Sequence, residues 1–410
     1  MEAIDAGDGH GLNFEDGLYD SLPVRRLSFN LAATPDPFRW AYDNPWIGEH
    51  LRGYLTELVP DVLHLISGYL MSGSTLRVAS DLGIGTVITL TDFWFLCPRI
   101  TLLRRDGQLC APPFDAATCA RCLGEQRRRY RIPGRIAPAL MDAFWRMRKG
   151  WIAQIEARTA FMRETLNHVD AVISPSRFLG ALFVEAGVAP GRIIFSRQGR
   201  DFPNLKPEVL QKTAAAHLRI GHLGQIAPHK GVHTLFEAVR QLPGAPLEVR
   251  AYGDGSRFPG YTRRLRHMAR QDSRLSLVGV YDRTDVSRIL QGLDVVVVPS
   301  VWYENSPNTI LEAFSHRTPV VASDLGGMAE LVEEGVNGLR FTPGDASSLA
   351  AKLRQLIDQP GLLAQLRAGI GPVKSVAEEM AELLEVYRAV AEERNARGLG
   401  RSSRSVLQEG

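Results

Sequence analysis

Residues 293–314 read LDVVVVPSVWYENSPNTILEAF, a segment that passes from four valines through a polar loop into an apolar-periodic run. A strand with one face in water alternates apolar and polar residues, whereas Val295, Val296, Val297 and Val298 are apolar on both sides of the pleat. Such strands occur in parallel sheets with helices on both faces. Outward from this segment the strand, loop and helix alternation repeats. Strand candidates are LRIGHLG (218–224), LEVRAYG (247–253), RLSLVGV (274–280), TPVVASD (318–324) and GLRF (338–341), separated by helical candidates such as VHTLFEAVRQL, RTDVSRILQG and DASSLAAKLRQLID. Residues 218–372 are therefore expected to form a doubly wound, Rossmann-like α/β domain.

The chain before it is less regular. Its strand candidates are VRRLSFN (24–30), PDVLHLIS (60–67), GTVITLTD (85–92), AVISPS (171–176) and RIIFSRQ (192–198), and a cysteine-rich insertion at about residues 97–165 interrupts them. Residues 1–200 are expected to form an abbreviated Rossmann-like domain, joined through a polar, proline-containing linker at 201–217. Two α/β domains would then face one another across a cleft. Residues 373–395 make a last helix candidate, and 396–410 read as a disordered tail. No glycine-rich turn precedes PDVLHLIS, so an opening strand-helix unit is missing from the expected first sheet. Exposed sheet edges are normally covered or paired, and a second copy of the chain or a separate partner chain is expected to close this one.

With 45% hydrophobic and 23% charged residues over 410 positions, the composition is that of a soluble globular protein and excludes a disordered one. The opening MEAIDAGDGHGLNFEDGLYD is acidic and apolar-poor, unlike a signal peptide, and no apolar run reaches bilayer length. A cytoplasmic location is expected.

In a doubly wound sheet the loops after the first and fourth strands meet at the switch point, beyond the carboxyl ends of the strands. Here those loops are GHLGQIAPHKGV (221–232) and PSVWYENSPNTILEAF (299–314). Ser306 suits an N-cap and Pro307 the first helical position, which leaves the amides of Asn308 and Thr309 facing outward at the positive end of a helix. That is a place for a phosphate or diphosphate. Lys230 adds a positive charge, and Gly224 and Gly231 allow close approach of backbone to a ligand. Glu312 falls among Ile310, Leu311 and Phe314, where a carboxylate without a partner is costly. Glu304 precedes the helix, so the two glutamates cannot hold the same atom. A nucleoside diphosphate sugar has the matching extent, with ribose at Glu312 and hexose at Glu304. Taken singly, each has an ordinary reading: Glu304 as a solvated loop residue, Glu312 as the partner of an arginine.

GHLGQIAPHKGVHTLFEA, LDVVVVPS, the Glu304-x7-Glu312 segment and TPVVASDLGGMAELVEEGVNGLRF together resemble the family 4 retaining glycosyltransferases, over roughly residues 55–357. The resemblance implies a GT-B fold, with Glu304 at the transferred sugar, Glu312 at the ribose and Lys230 at the diphosphate. Gln225, Asn305 and Ser306 complete the implied donor site. It also implies metal-independent transfer of a hexose, with retention at the anomeric carbon, to a saccharide or lipid-linked saccharide in surface polysaccharide assembly. The chain indeed has no Asp-x-Asp pair suited to a divalent metal at a diphosphate. Two positions depart from the family pattern: Gln225 stands where arginine is frequent, and Thr91 stands where histidine often precedes Asp92, the third residue assigned to catalysis. Two rival functions share these features. One is a nucleotide-sugar epimerase, which would isomerise donor without acceptor; the other is a non-catalytic nucleotide-sugar-binding subunit, suggested by Thr91 and the short first domain.

All four cysteines fall in one stretch, as Cys97-x12-Cys110-x8-Cys119-x2-Cys122. In a cytoplasmic chain this spacing predicts a closed, structural thiolate site, for Zn²⁺ first and an iron–sulfur cluster second. The competing reading is four small buried residues. Residues 121–150 hold nine arginines and lysines against two acids, Glu125 and Asp142, and Leu140, Phe144, Met147, Trp151 and Ile155 recur at helical spacing with Trp145 nearby. A basic amphipathic helix of this kind suits an anionic membrane surface at the inner face; the ordinary alternative is a core stripe with solvated arginines. No nucleic-acid module frames the charge, and no nucleic-acid partner is expected. His229 is a candidate ligand contact, and His222 and His233 read as structural.

Overall fold

The computed structural model describes residues 1–5, 11–202 and 216–396. Residues 203–215 of the expected linker and 397–410 of the expected tail lie outside the described residues. The chain divides into two compact units, the first comprising Met1–Pro175, Gly180–Ser196 and Ala381–Gly410, the second Ser176–Leu179 and Arg197–Met380.

The first unit opens with a small sheet of order β1-β3-β2, formed by β1 (Glu2–Asp5), β2 (Leu12–Tyr19) and β3 (Leu22–Phe29). VRRLSFN was expected to belong to the Rossmann-like sheet; instead it pairs antiparallel with LNFEDGLY, from Leu12 opposite Phe29 to Tyr19 opposite Leu22. Asp20 and Ser21 close this hairpin with φ of 48° and 65°, the left-handed pair that a two-residue hairpin turn requires. Phe29 drops into a core with Ile47, Leu51 and Leu55.

A second, parallel sheet holds β4 (Val62–Leu65), β5 (Gly85–Thr89), β6 (Ala171–Ser174) and β7 (Ile193–Phe195) in that order, with β4 at one end. The last helix, Val376–Ala396, was expected to stand apart. From Ala381 it belongs to the first unit, where Leu383, Val386, Tyr387 and Val390 pack on Val87, Ala171 and Ile173. Gly85 makes the fit possible: a Cβ there would lie 2.7 Å from Val390 Cγ1. Between β5 and β6 the stretch that carries the cysteines folds into the helices Ala116–Gly124, Arg128–Ile136, Pro138–Arg146 and Lys149–His168. Trp145, Met141, Ala120 and Ile155 form its core. The predicted apolar stripe is thus not one helix, because the helical run breaks at Met147 and Arg148.

The second unit is the doubly wound domain expected from the valines. β8 (Leu218–Leu223), β9 (Leu247–Tyr252), β10 (Leu275–Gly279), β11 (Val295–Val298), β12 (Val320–Ser323) and β13 (Gly338–Phe341) form a parallel sheet of order β10-β9-β8-β11-β12-β13. Val295 and Val297 enter one core with Ile220, Phe236 and Leu349, while Val296 and Val298 enter the other with Ile310, Phe314 and Met328. Helices therefore cover both faces, which explains why β11 carries no polar residue. The strand order reverses between β8 and β11, which are hydrogen-bonded neighbours.

Candidate functional site

The two loops singled out in the sequence leave the carboxyl ends of β8 and β11 side by side. Val301 N–H donates to the His229 carbonyl at 2.9 Å and Thr309 Oγ1 to the Leu223 carbonyl at 3.1 Å, which ties one loop to the other. Gly231 adopts φ 71°, and a Cβ there would lie 1.8 Å from the Pro299 carbonyl oxygen. The space a side chain would need is thus taken by the second loop. Gly224, with φ 143°, has only His222 Nε2 near its missing side chain, at 3.8 Å, and keeps the backbone open there. Gln225, at the start of the same loop, is half-buried.

Lys230 ends a short 3-10 turn, Pro228–Lys230, and its ammonium lies 2.7 Å from Glu304 Oε1. Two residues that the sequence assigned to different parts of a ligand are joined here. The same oxygen also accepts from Ser300 Oγ at 2.7 Å and Trp302 Nε1 at 2.9 Å. Glu304 is therefore not the solvated loop residue of the ordinary reading; its side chain is 12% exposed. Burial pushes its pKa up, but Lys230 and the Trp302 and Ser300 hydrogen bonds outweigh burial and leave it below the usual value. Three donors meet Oε1, and among the described residues none meets Oε2. Trp302 also lies against His229, ring centroids 4.4 Å apart and planes tilted by 52°, and burial brings the His229 pKa down to about 4, so this ring is neutral at physiological pH. His222 is buried, with Nδ1 3.2 Å from the Val297 carbonyl oxygen, and His233 bonds Tyr261, in keeping with structural roles.

The helix after this loop is Asn308–Ser315, with Pro307 rather than Ser306 at the N-cap. The expected register is corrected by one residue. Gly327 N–H donates to the Glu304 carbonyl at 2.9 Å and Ser176 Oγ to Asn305 Oδ1 at 3.1 Å, and these anchors hold the chain non-helical up to Pro307. The Ser306 hydroxyl caps nothing and is buried without a hydrogen-bond partner. As first residues of the helix, Asn308 and Thr309 have no intrahelical acceptor for their amides, as expected.

Glu312, a turn inside the helix, carries no side-chain hydrogen bond or ion pair among the described residues. Burial raises its pKa, opposed by the charges of Arg200 and Arg283 at a distance. No sequence motif marks Arg200, which lies between β7 and β8, far along the chain from the glutamate segment. Its Nη2 donates to Asn308 Oδ1, its Nη1 to the Gly199 carbonyl at 3.1 Å, and its buried Nε has no partner among the described residues. A cation thus stands at the start of this helix. Burial and then the Glu312 charge raise the pKa of Tyr281, whose ring lies edge-on 6.2 Å from that of Tyr252.

Asp92 lies in the first unit. Its carboxylate accepts from Trp94 N–H at 2.7 Å and Ser67 Oγ at 3.2 Å, and burial raises its pKa against those bonds.

The four cysteines share a neighbourhood. Cys119 and Cys122 lie one turn apart on Ala116–Gly124, and burial followed by the charges of the other thiols pushes Cys110 up to about 11 and Cys119 to about 12. Among the described residues no three His, Cys, Asp or Glu side chains are placed to hold a metal ion. Arg99 occupies Cys122, donating from Nη1 to its Sγ at 3.2 Å and to the Leu103 carbonyl at 2.8 Å.

The family model described as Glycosyl transferases group 1 matches residues 217–359. Glycogen synthase of Mycobacterium tuberculosis is 29% identical over 227 residues, which is 53% of this chain and 53% of that protein. The putative colanic acid biosynthesis glycosyltransferase WcaL of Salmonella typhimurium is 30% identical over 179 residues, 41% of this chain and 43% of that one. The chain spans about half the length of the curated relatives it matches. Among solved structures, Anabaena HepE in complex with UDP superposes with a TM-score of 0.59 at 18% identity, covering 86% of this chain and 82% of that one. Residues 217–359 thus resemble a glycosyl transferases group 1 domain, and the chain shares its fold with GT-B glycosyltransferases.

Proposed function

We propose that the chain is a retaining glycosyltransferase that moves a hexose from a nucleoside diphosphate sugar to a saccharide or lipid-linked saccharide acceptor in polysaccharide assembly. The observation that carries this reading is Glu312: a half-buried carboxylate with no partner of its own, a turn inside a helix whose first amides are free. Ribose hydroxyls supply the missing donors. The diphosphate rests on the Asn308 and Thr309 amides, with Lys230 and Arg200 as its cations. Glu304, its Oε1 held by three donors, offers Oε2 to a hexose hydroxyl.

In the proposed reaction the bond from the anomeric carbon to the diphosphate oxygen breaks, and the acceptor oxygen bonds the same face. The acceptor proton leaves with the diphosphate. Fixed donors at the leaving oxygen act where charge develops, and one such donor is worth about 10²–10³ in rate. The two side-chain cations and the helix amides take the charge that a divalent metal handles in other transferases. Asp92 we assign to the acceptor side, accepting a hydroxyl. UDP-sugars are the first donors to test, because HepE has been solved with UDP.

The test is transfer with isotope-labelled UDP-sugars and saccharide acceptors, with the anomeric configuration of the product read by NMR. Acceptor-dependent product of unchanged configuration is expected. An isomerised donor formed without acceptor would make the chain an epimerase, and tight donor binding without any turnover would make it a binding subunit.

A further inference from the structure

Residues 121–150 carry nine basic side chains and two acids, and the structure accounts for both acids. Arg121 is buried; its Nε lies 2.7 Å from Glu125 Oε1 and its Nη1 2.6 Å from Asp142 Oδ1. The same guanidinium donates to the Gly134 and Pro138 carbonyls, each at 3.3 Å, and so pins the junction between Arg128–Ile136 and Pro138–Arg146. One internal cation thus consumes the acids of this stretch. Arg127, Arg128, Arg129, Arg135, Arg148 and Lys149 remain exposed.

Among these cations stand large apolar side chains turned to solvent: Ile132 is 46% exposed, Leu140 74%, Ile136 78% and Met147 80%. Leu140 and Met147 belong to the stripe read from the sequence, whereas Trp145, read beside it, is not on this face. Trp145 is 1% exposed and packs edge-on against Tyr130, Phe144 and Trp151, with ring centroids 5.1 to 5.4 Å apart. The division decides the partner class. Single-stranded nucleic acid is held by basic grooves with aromatic faces on which bases stack, and here the rings are spent on one another. Aliphatic side chains between uncompensated arginines match the boundary between lipid headgroups and acyl chains, where apolar groups insert and cations meet anionic phosphates.

We propose that the surface bearing Ile132, Ile136, Leu140 and Met147 with its flanking arginines docks peripherally on an anionic membrane. Among the described residues no helix is long and apolar enough to cross a bilayer. Contact made by exposed arginines and a few aliphatic side chains is reversible and sensitive to salt. The proposal does not depend on the donor site.

The experiment is sedimentation of the full chain with phosphatidylcholine vesicles, with and without phosphatidylglycerol, at low and physiological salt. Binding only to the anionic vesicles, weakened by salt, is expected. The triple variant Arg128→Gln, Arg135→Gln, Arg148→Gln should lower the partition coefficient by about fivefold per arginine removed. The variant Ile136→Ser, Leu140→Ser, Met147→Ser should abolish pelleting while keeping the parent's circular dichroism. These side chains are exposed, so neither variant disturbs the core. The proposal is overturned if anionic vesicles fail to pellet the protein at low salt, or if both variants pellet like the parent. It is equally overturned if single-stranded RNA binds as tightly as the vesicles and survives the serine substitutions, or if light scattering shows a parent dimer that those substitutions turn into monomer.

Discussion

Lys230→Met isolates the interaction at the centre of the site. It removes an ammonium 2.7 Å from Glu304 Oε1 and leaves a carboxylate that is 12% exposed with Ser300 and Trp302 as its donors. Removing one partner of a buried pair costs about 3–5 kcal/mol. The two neutral donors soften this, so a loss of about 2–4 kcal/mol is expected at neutral pH. The sign of the pH dependence follows from Glu304. In the parent its pKa is depressed in spite of burial, so its contribution to stability is present above the unfolded carboxylate pKa and is lost as pH falls through the folded one. Without Lys230 burial wins, and the folded pKa rises above the unfolded value. The penalty of the variant is then full above that raised pKa and shrinks as pH falls toward the unfolded value. Native-state hydrogen exchange of β8 and β11 amides against urea reports on the second unit alone, and Glu304→Gln with the double variant completes a thermodynamic cycle. Equal protection of parent and Lys230→Met, or a loss that does not change with pH, would refute the reasoning.

Arg200→Met should weaken binding of a nucleoside diphosphate by about 1.5–3 kcal/mol, the range for a charged hydrogen bond, and leave the free nucleoside unaffected in calorimetry; equal effects on both would remove Arg200 from the diphosphate. The cysteine cluster is proposed to hold one structural metal. Arg158, only 3% exposed, has no carboxylate ion pair among the described residues, and after burial the main influences on it are the Cys97, Tyr42 and Cys119 charges; a metal–thiolate shell would supply its counter-charge. Elemental analysis should find about one equivalent of Zn²⁺, or the absorption of an iron–sulfur cluster, and four freely titratable thiols in folded, metal-free protein would contradict it. A second copy or a partner chain at the β4 edge should appear as a mass above that of one chain in light scattering, and a stable monomer with full turnover would dismiss it.

The second unit was legible because its signals are local. Four valines apolar on both faces can satisfy only a sheet covered on both sides, and the adjacency of the two loops follows from the strand order. What escaped the sequence depends on distant partners. The shift of the N-cap from Ser306 to Pro307 comes from Gly327 and Ser176 holding Glu304 and Asn305. Arg200 reaches Asn308 from a segment with no motif of its own. The hairpin of β2 and β3 went unseen because Phe14, Leu18 and Tyr19 face solvent and its turn is Asp20-Ser21, without the usual glycine. The placement of the last helix on the first unit rests on Gly85 leaving room for Val390, which no periodicity announces.

The account turns on whether Glu312 meets the ribose of a nucleotide-sugar donor. Titration calorimetry of the parent, Glu312→Gln and Glu304→Gln with UDP-sugars measures this directly. The account predicts binding by the parent, affinity weakened by about 1–3 kcal/mol in Glu312→Gln, and a Glu304→Gln variant that binds nucleotide nearly as well but transfers sugar slowly. Titration curves for both variants that overlay the parent's would contradict it.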